Sequence, residues 1–248
     1  MPTYCEADNL PVILDRLRFP HLEVKILVVD DNSPDGTGDI AETIGEHRGD
    51  VRLLRRQNKS GLGAAYLAGF SYVLDEGADF VVTMDCDLSH SPEALPVLMA
   101  AVKDAGCVIG SRYVEGGSIE NWPSRRRLLS AAANYFVRVL FAMPVLDCTS
   151  GYRLYRRQVV EDILRRPPTS QGYSFLVEAL TIAVAGPLPV IESPICFVER
   201  VSGKSKMGVC EIVTGVVRLL SLRLRTSFRK AIGPRADNED AKSRPNYT

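Results

Sequence analysis

Lys25-Ile26-Leu27-Val28-Val29-Asp30-Asp31-Asn32-Ser33-Pro34-Asp35-Gly36 is the stretch on which the fold turns. Ile26 to Val29 form a short apolar run rich in β-branched residues, the pattern of a strand buried on both faces of a parallel sheet. The acids and turn formers from Asp30 to Gly36 close that strand and lead into a helix expected near 38–45. The same unit repeats outward along the chain. Val51–Leu54 reads as a second strand, and 61–74 as a helix with Leu62, Tyr66, Gly69, Phe70 and Val73 on one face. Phe80–Met84 is a third strand that also ends in acids, Asp85-Cys86-Asp87. A helix follows Pro92, and Cys107–Gly110 is a fourth strand. Strands separated by helices of this length build βαβ units, so the fold class is α/β with a mostly parallel central sheet flanked by helices.

Two regions are less regular. A turn over Pro2–Asn9 leads into a helix at Leu10–Leu17, so a strand belongs before it; the chain begins where that strand would end, and the first strand reads as missing or truncated. In the second half, 125–141 and 175–185 look helical, 167–172 is a loop and 190–198 a strand. Residues 209–230 read as an amphipathic helix with Arg218, Arg225 and Arg229 on one side. The polar tail over 231–248 has no periodicity and reads as disordered. Without repeats or a clear linker, one domain over 1–230 is the expected organisation.

Composition excludes several classes. Among 248 residues, 46% are hydrophobic and 24% charged, an ordinary globular balance. The longest apolar stretches are broken by Gly186, Pro187 and Pro189 or by Glu211, Arg218 and Arg223, so no segment is suited to span a bilayer. A polar run follows Met1 where a signal peptide would be apolar. The six cysteines are scattered without a C-x-x-C pair and the three histidines lack ligand spacing, which argues against zinc, a disulfide framework or a histidine metal site. Net charge is zero, and no nucleic-acid partner is expected. The zero hides a split: residues 1–100 carry 17 acids and 8 bases, and 101–248 carry 13 acids and 22 bases. An acidic half suits a metal and a basic half suits anions.

In open parallel sheets, ligands bind beyond the carboxyl ends of the strands. Asp30 and Asp31 at one strand end, and Asp85 and Asp87 at another, are carried to that edge. D-x-D spacing directs oxygen ligands at one hard cation, which then bridges a diphosphate. Gly61-Leu62-Gly63 fails as a dinucleotide fingerprint, because Tyr66 stands where the third glycine is needed. On the basic side, Arg112 follows the fourth strand, and Arg126 and Ser130 share a helix face suited to one phosphate. Arg200, Lys204 and Lys206 lie in a basic loop. Each base alone reads as a solvated charge; together they match a diphosphate donor and a phosphate acceptor.

Taken in order, seven segments resemble the family-2 glycosyltransferases, within them the dolichyl-phosphate (polyprenol-phosphate) mannosyltransferases. They are Pro2–Asn9, Val29–Thr37, Lys59–Gly63, Met84–His90, Gly110–Tyr113, Asp147–Tyr155 and Gly203–Lys206, covering roughly 2–225. The resemblance implies a single GT-A-like nucleotide-diphospho-sugar transferase domain. It implies that Pro2, Tyr4, Glu6, Val29 and Asp31 line the nucleotide pocket, and that Asp85, Cys86 and Asp87 meet the sugar diphosphate. Asp85 and Asp87 would hold Mg²⁺ or Mn²⁺, Asp87 foremost. Arg112, Arg200 and Lys206 would contact donor phosphates or sugar, and Arg126 and Ser130, with Arg112, the acceptor phosphate. Cys5 departs from the family's usual asparagine, and Cys86 from its usual small residue.

The expected reaction is inverting transfer of mannose from GDP-mannose to a polyprenyl (dolichyl) monophosphate. With a second pKa of about 6, that acceptor is mostly dianionic at neutral pH and needs no obligatory base. Its lipid implies peripheral attachment to the cytoplasmic face of a membrane, through 209–230, where 200–230 carries eight bases against Glu211. Relatives of this kind carry extra transmembrane helices or use small membrane-protein partners; this chain would need the latter. The competing readings are UDP-glucose as donor, a phosphohydrolase with an aspartyl nucleophile in Asp85-x-Asp87-x-Ser89, and an inactive nucleotide-sugar-binding subunit.

Overall fold

A computed structural model describes residues 1–170, 172–199 and 214–224. The opening residues form a two-residue strand β1 (Pro2–Thr3) that pairs in parallel with β2 (Ile26–Asp30), Pro2 opposite Val29; β2 pairs in parallel with β3 (Val51–Arg55). The expected first strand is thus short rather than absent. Between them lie α1 (Asn9–Arg16) and α2 (Thr37–Arg48). Then follow α3 (Leu62–Asp75), β4 (Phe80–Thr83), a 3₁₀ turn at Pro92–Ala94 running into α4 (Leu95–Ala101), and β5 (Cys107–Ser111). β6 (Ser118–Glu120) precedes the long α5 (Ser124–Phe141); β7 (Arg153–Arg156) runs directly into α6 (Arg157–Arg165). The described chain closes with α7 (Tyr173–Ala185), β8 (Val190–Pro194), β9 (Cys196–Val198) and α8 (214–224).

A second sheet has the order β4-β7-β5-β8, with β7 antiparallel to both neighbours and β8 parallel to β5. β6 and β9 make a small parallel pair. The mostly parallel sheet therefore carries one reversed strand that the sequence pattern did not announce, and the run over 190–198 is two strands, broken at Ile195. Alternation along β5 sends Cys107 and Ile109 to one apolar cluster and Val108 to the other. The first cluster gathers α3, α5, α6, α7 and Leu219 of α8; the second gathers α1, α2 and α4. Helices thus cover both faces, as buried apolar strands require.

Gly63 shows what its motif is for. A Cβ there would lie 2.8 Å from the Phe175 ring and 3.1 Å from the Ser170 carbonyl oxygen, so this glycine lets the start of α3 meet α7 closely. Arg200, Lys204, Lys206, parts of the 209–230 helix and the tail lie outside the described residues.

Candidate active site

The residues expected to line a nucleotide pocket are tied together by hydrogen bonds between 3–7 and 30–37. Asp30 is fully buried and accepts from Thr3 Oγ1 (3.0 Å), Ser33 N–H (2.9 Å) and Ser33 Oγ (2.6 Å). It is the tie that shapes the turn rather than an outward ligand. Asp31 is buried too, and takes Arg56 Nη1 at 2.6 Å. Cys5 N–H donates to Ser33 Oγ, Glu6 N–H to Thr37 Oγ1 and Ala7 N–H to Asp35, so the whole segment is pinned. Glu6 accepts Asn9 Nδ2 at 2.7 Å. Tyr4 is half-buried and lies beneath the Lys59 ammonium, 3.5 Å from its ring centroid. Val29 is buried at the β1 contact, level with Pro2.

Asp85, Cys86 and Asp87 follow β4 in one tight turn. The Asp85 side chain is 40% exposed, whereas Asp87 is buried and its Oδ1 accepts both the N–H and the hydroxyl of Ser89. Leu88 between them has φ +62°, a left-handed conformation costly for leucine. The Cys86 side chain packs into the core, where burial pushes its thiol pKa up, so it is no nucleophile. Two carboxylates on one turn are an oxygen donor set for a hard cation, and no third His, Cys, Asp or Glu joins them among the described residues. The set fits Mg²⁺ or Mn²⁺ held jointly with a substrate diphosphate, the usual way such ions are bound.

Arg112 does not stand open. Its guanidinium grips Asp147 through Nε and Nη2, both at 2.7 Å, and Nη2 also donates to Thr149 Oγ1 at 2.8 Å. Asp147 is wholly buried and also accepts the N–H groups of Arg112 and Ser150, while its own N–H is taken by Glu192. Burial opposes the charge on Arg112, and the Asp147 carboxylate more than restores it, raising its pKa. Asn134 of α5, buried, spends its full amide capacity: Oδ1 accepts from Cys148 and Thr149 N–H, and Nδ2 donates to Thr149 Oγ1 and the Ser130 carbonyl. The loop over 147–151 is therefore a rigid knot that ends with Gly151 beside the Asp85 carboxylate.

Among the residues expected to hold the acceptor phosphate, Ser130 Oγ receives the Tyr113 hydroxyl at 2.8 Å. Arg126 lies 3.9 Å over the Trp122 ring and pairs with Glu199. The two halves meet through Phe197 of β9, whose ring is 5.3 Å from His90, 5.3 Å from Trp122 and 5.3 Å from the Arg112 guanidinium. The structure thus joins Asp85, Asp87, Arg112 and the start of α5 around one aromatic contact, while Arg200 and Lys206 lie beyond the described residues. Sequence reasoning missed Asp147, Asn134 and Phe197. Asp147 stood in a quoted motif beside a basic candidate; Asn134 and Phe197 carried no signal.

Residues 1–164 match the family described as glycosyl transferase family 2. Over 236 residues the chain is 44% identical to polyprenol monophosphomannose synthase of Mycolicibacterium smegmatis, covering 94% of this chain and 89% of that protein. It is 44% identical over 221 residues to undecaprenyl-phosphate mannosyltransferase of Micrococcus luteus, covering 88% and 91%. The fold is shared with glucosyl-3-phosphoglycerate synthase from Mycobacterium tuberculosis, solved with Mn²⁺ and uridine-diphosphate-glucose, at TM-score 0.62 and 18% identity over 90% of this chain and 76% of that one.

Proposed function

This chain belongs to glycosyltransferase family 2 and has the GT-A-like fold, and from that premise we propose that it transfers mannose from GDP-mannose to a polyprenyl monophosphate with inversion. The observation that carries the reading is the likeness, over about nine-tenths of each chain, to two relatives named for mannose and for a polyprenol or undecaprenyl phosphate. The site geometry is compatible with it. Asp85 and Asp87 face the donor diphosphate at the carboxyl end of β4, with Pro2, Tyr4, Glu6, Val29 and Asp31 on the nucleotide side. When bound, Mg²⁺ or Mn²⁺ offsets the charge that gathers on the departing nucleoside diphosphate. Arg126 and Ser130 receive the acceptor phosphate, which takes the place of the Glu199 carboxylate on Arg126 and lies one helical turn from Asn134. Arg112 fixes the 147–151 loop and lends positive potential from behind, and Arg200 and Lys206 are the proposed phosphate or sugar contacts of the following loop. The acceptor dianion attacks the anomeric carbon directly, so catalysis is positioning and electrostatics, with no general base.

Membrane attachment belongs to the same proposal. No helix among the described residues is long and apolar enough to cross a bilayer. Yet α5 exposes Leu128, Tyr135 and Val139 in one stripe, α8 exposes Val217, Leu220 and Leu224, and Arg125 and Arg127 flank the first stripe. These faces suit the anionic surface in which a lipid acceptor resides, on its cytoplasmic side, with or without a small membrane-protein partner.

The test is a transfer assay with labelled GDP-mannose or UDP-glucose, a polyprenyl phosphate and Mg²⁺. Label should reach lipid from GDP-mannose with inverted configuration, and Asp87→Ala should lower the rate by about 100-fold or more. Label arriving only from UDP-glucose overturns the donor assignment, and full activity in the variant overturns the role of Asp87.

A further inference from the structure

His90 closes the Asp85-Cys86-Asp87-Leu88-Ser89-His90 turn, and nothing in the transfer reaction calls for an imidazole there. The ring is 1% exposed, lies 5.2 Å from the Tyr152 ring and meets Phe197 edge-on. A phenylalanine would fill the same space without a polar atom to desolvate. The ring nitrogen has a partner, however: Nδ1 accepts the backbone N–H of Asp85 at 3.1 Å, which places the ring proton on Nε2. That N–H has lost its sheet. The β4–β7 register ends at Thr83 opposite Arg153, and the Gly151 carbonyl beyond it is taken by Thr83 Oγ1 at 2.7 Å. His90 supplies the acceptor that the ladder no longer does.

The turn needs holding. Leu88 sits at positive φ, and a strained conformation persists only when its surroundings over-determine it. Ser89 ties the turn to Asp87 on one side and, through its carbonyl, to Val198 N–H at 3.2 Å on the other. His90 bridges to Phe197 in the same direction and then reaches back to Asp85. We propose that His90 is a positioning residue for the cation-binding turn: by accepting the Asp85 N–H it fixes the peptide that aims the Asp85 carboxylate, beside Asp87, at the metal. This rests on the reading that Asp85 and Asp87 hold a divalent cation with the donor diphosphate. Loss of an outer partner of this kind weakens metal binding without removing a ligand.

Two variants separate positioning from packing because they rank in opposite order. His90→Phe keeps the ring and loses the acceptor; His90→Asn loses the ring and keeps an acceptor oxygen at the δ position. Mn²⁺ binding is read by the electron paramagnetic resonance signal of free Mn²⁺ in the presence of GDP, beside the melting temperature of each protein. His90→Phe should bind Mn²⁺ about 10-fold more weakly or worse while melting nearer to wild type. His90→Asn should stay within about 3-fold of wild-type affinity while melting lower, the conservative acceptor rescuing what packing does not. Affinity that follows melting temperature instead, or that is unchanged in both variants while Asp87→Ala abolishes it, overturns the proposal alone. Wild-type protein that takes up no Mn²⁺ with GDP overturns the metal reading and the proposal with it.

Discussion

Cys5 has φ +59°, a region that asparagine and glycine enter readily and cysteine does not. The family's usual asparagine at this point of the motif now has a physical reason, and the cysteine is exposed with its N–H still bound to Ser33. Cys5→Asn should therefore stabilise the protein by about 1 kcal/mol, a rise of about 3 °C in melting temperature, checked by calorimetry. A fall would mean that the thiol makes a contact worth more than the backbone relief. The acids at the two strand ends show how far single residues were legible. Their placement at the edge was readable, because apolar strands end where turn formers begin. Their division of labour was not: Asp30 and Asp31 look alike in sequence, yet one is consumed by Thr3 and Ser33 and the other by Arg56. Arg112 reads as an open anion ligand only while its partner, 35 residues on, is unknown.

At the scale of elements, β2, β3, β4 and β5 were legible because each is an apolar run between turn signals. β7 was not, since Arg153-Leu154-Tyr155-Arg156 begins and ends in arginine and passes into α6 without a breaker. The apparent contradiction is resolved in three dimensions. Arg153 is fully buried and donates to the Leu176 and Cys148 carbonyls and to the Tyr155 hydroxyl, so a charge that reads as loop is held at the sheet centre by its two Nη groups, while Nε has no partner among the described residues. α5 was legible as a helix but not as a two-faced one. Asn134 and Val137 point inward, and Leu128, Tyr135 and Val139 outward. If the outward stripe enters a lipid surface, Leu128→Asp with Val139→Asp should lower co-sedimentation with anionic vesicles by about 10-fold and leave the melting temperature within about 1 °C. Equal sedimentation of the double variant would remove α5 from the membrane face.

Across the whole molecule, ion pairs also join elements far apart in the chain. Arg16 of α1 grips Glu93, just past the Asp85–His90 turn, at 2.9 and 2.7 Å. Arg16 and Ser91 hold the Glu93 carboxyl down at about 2, well below its ordinary 4.5. A depressed carboxyl contributes its stability above the unfolded value and loses it as pH falls toward the folded one. The difference in melting temperature between wild type and Glu93→Gln should thus be constant well above 4.5, shrink as pH falls through about 4.5 and vanish only below about 2; a difference that persists at the lowest pH would assign the tie to packing. The aromatic contact at the centre of the site has a last consequence, and it is optical. Trp122 is the chain's only tryptophan. It sits where Arg126 covers its face, Phe197 meets its edge and its indole N–H finds no partner among the described residues. Every photon the indole emits therefore originates beside the Arg126 guanidinium, so the unlabelled protein carries its own fluorescent gauge of whether that charge stays on the ring.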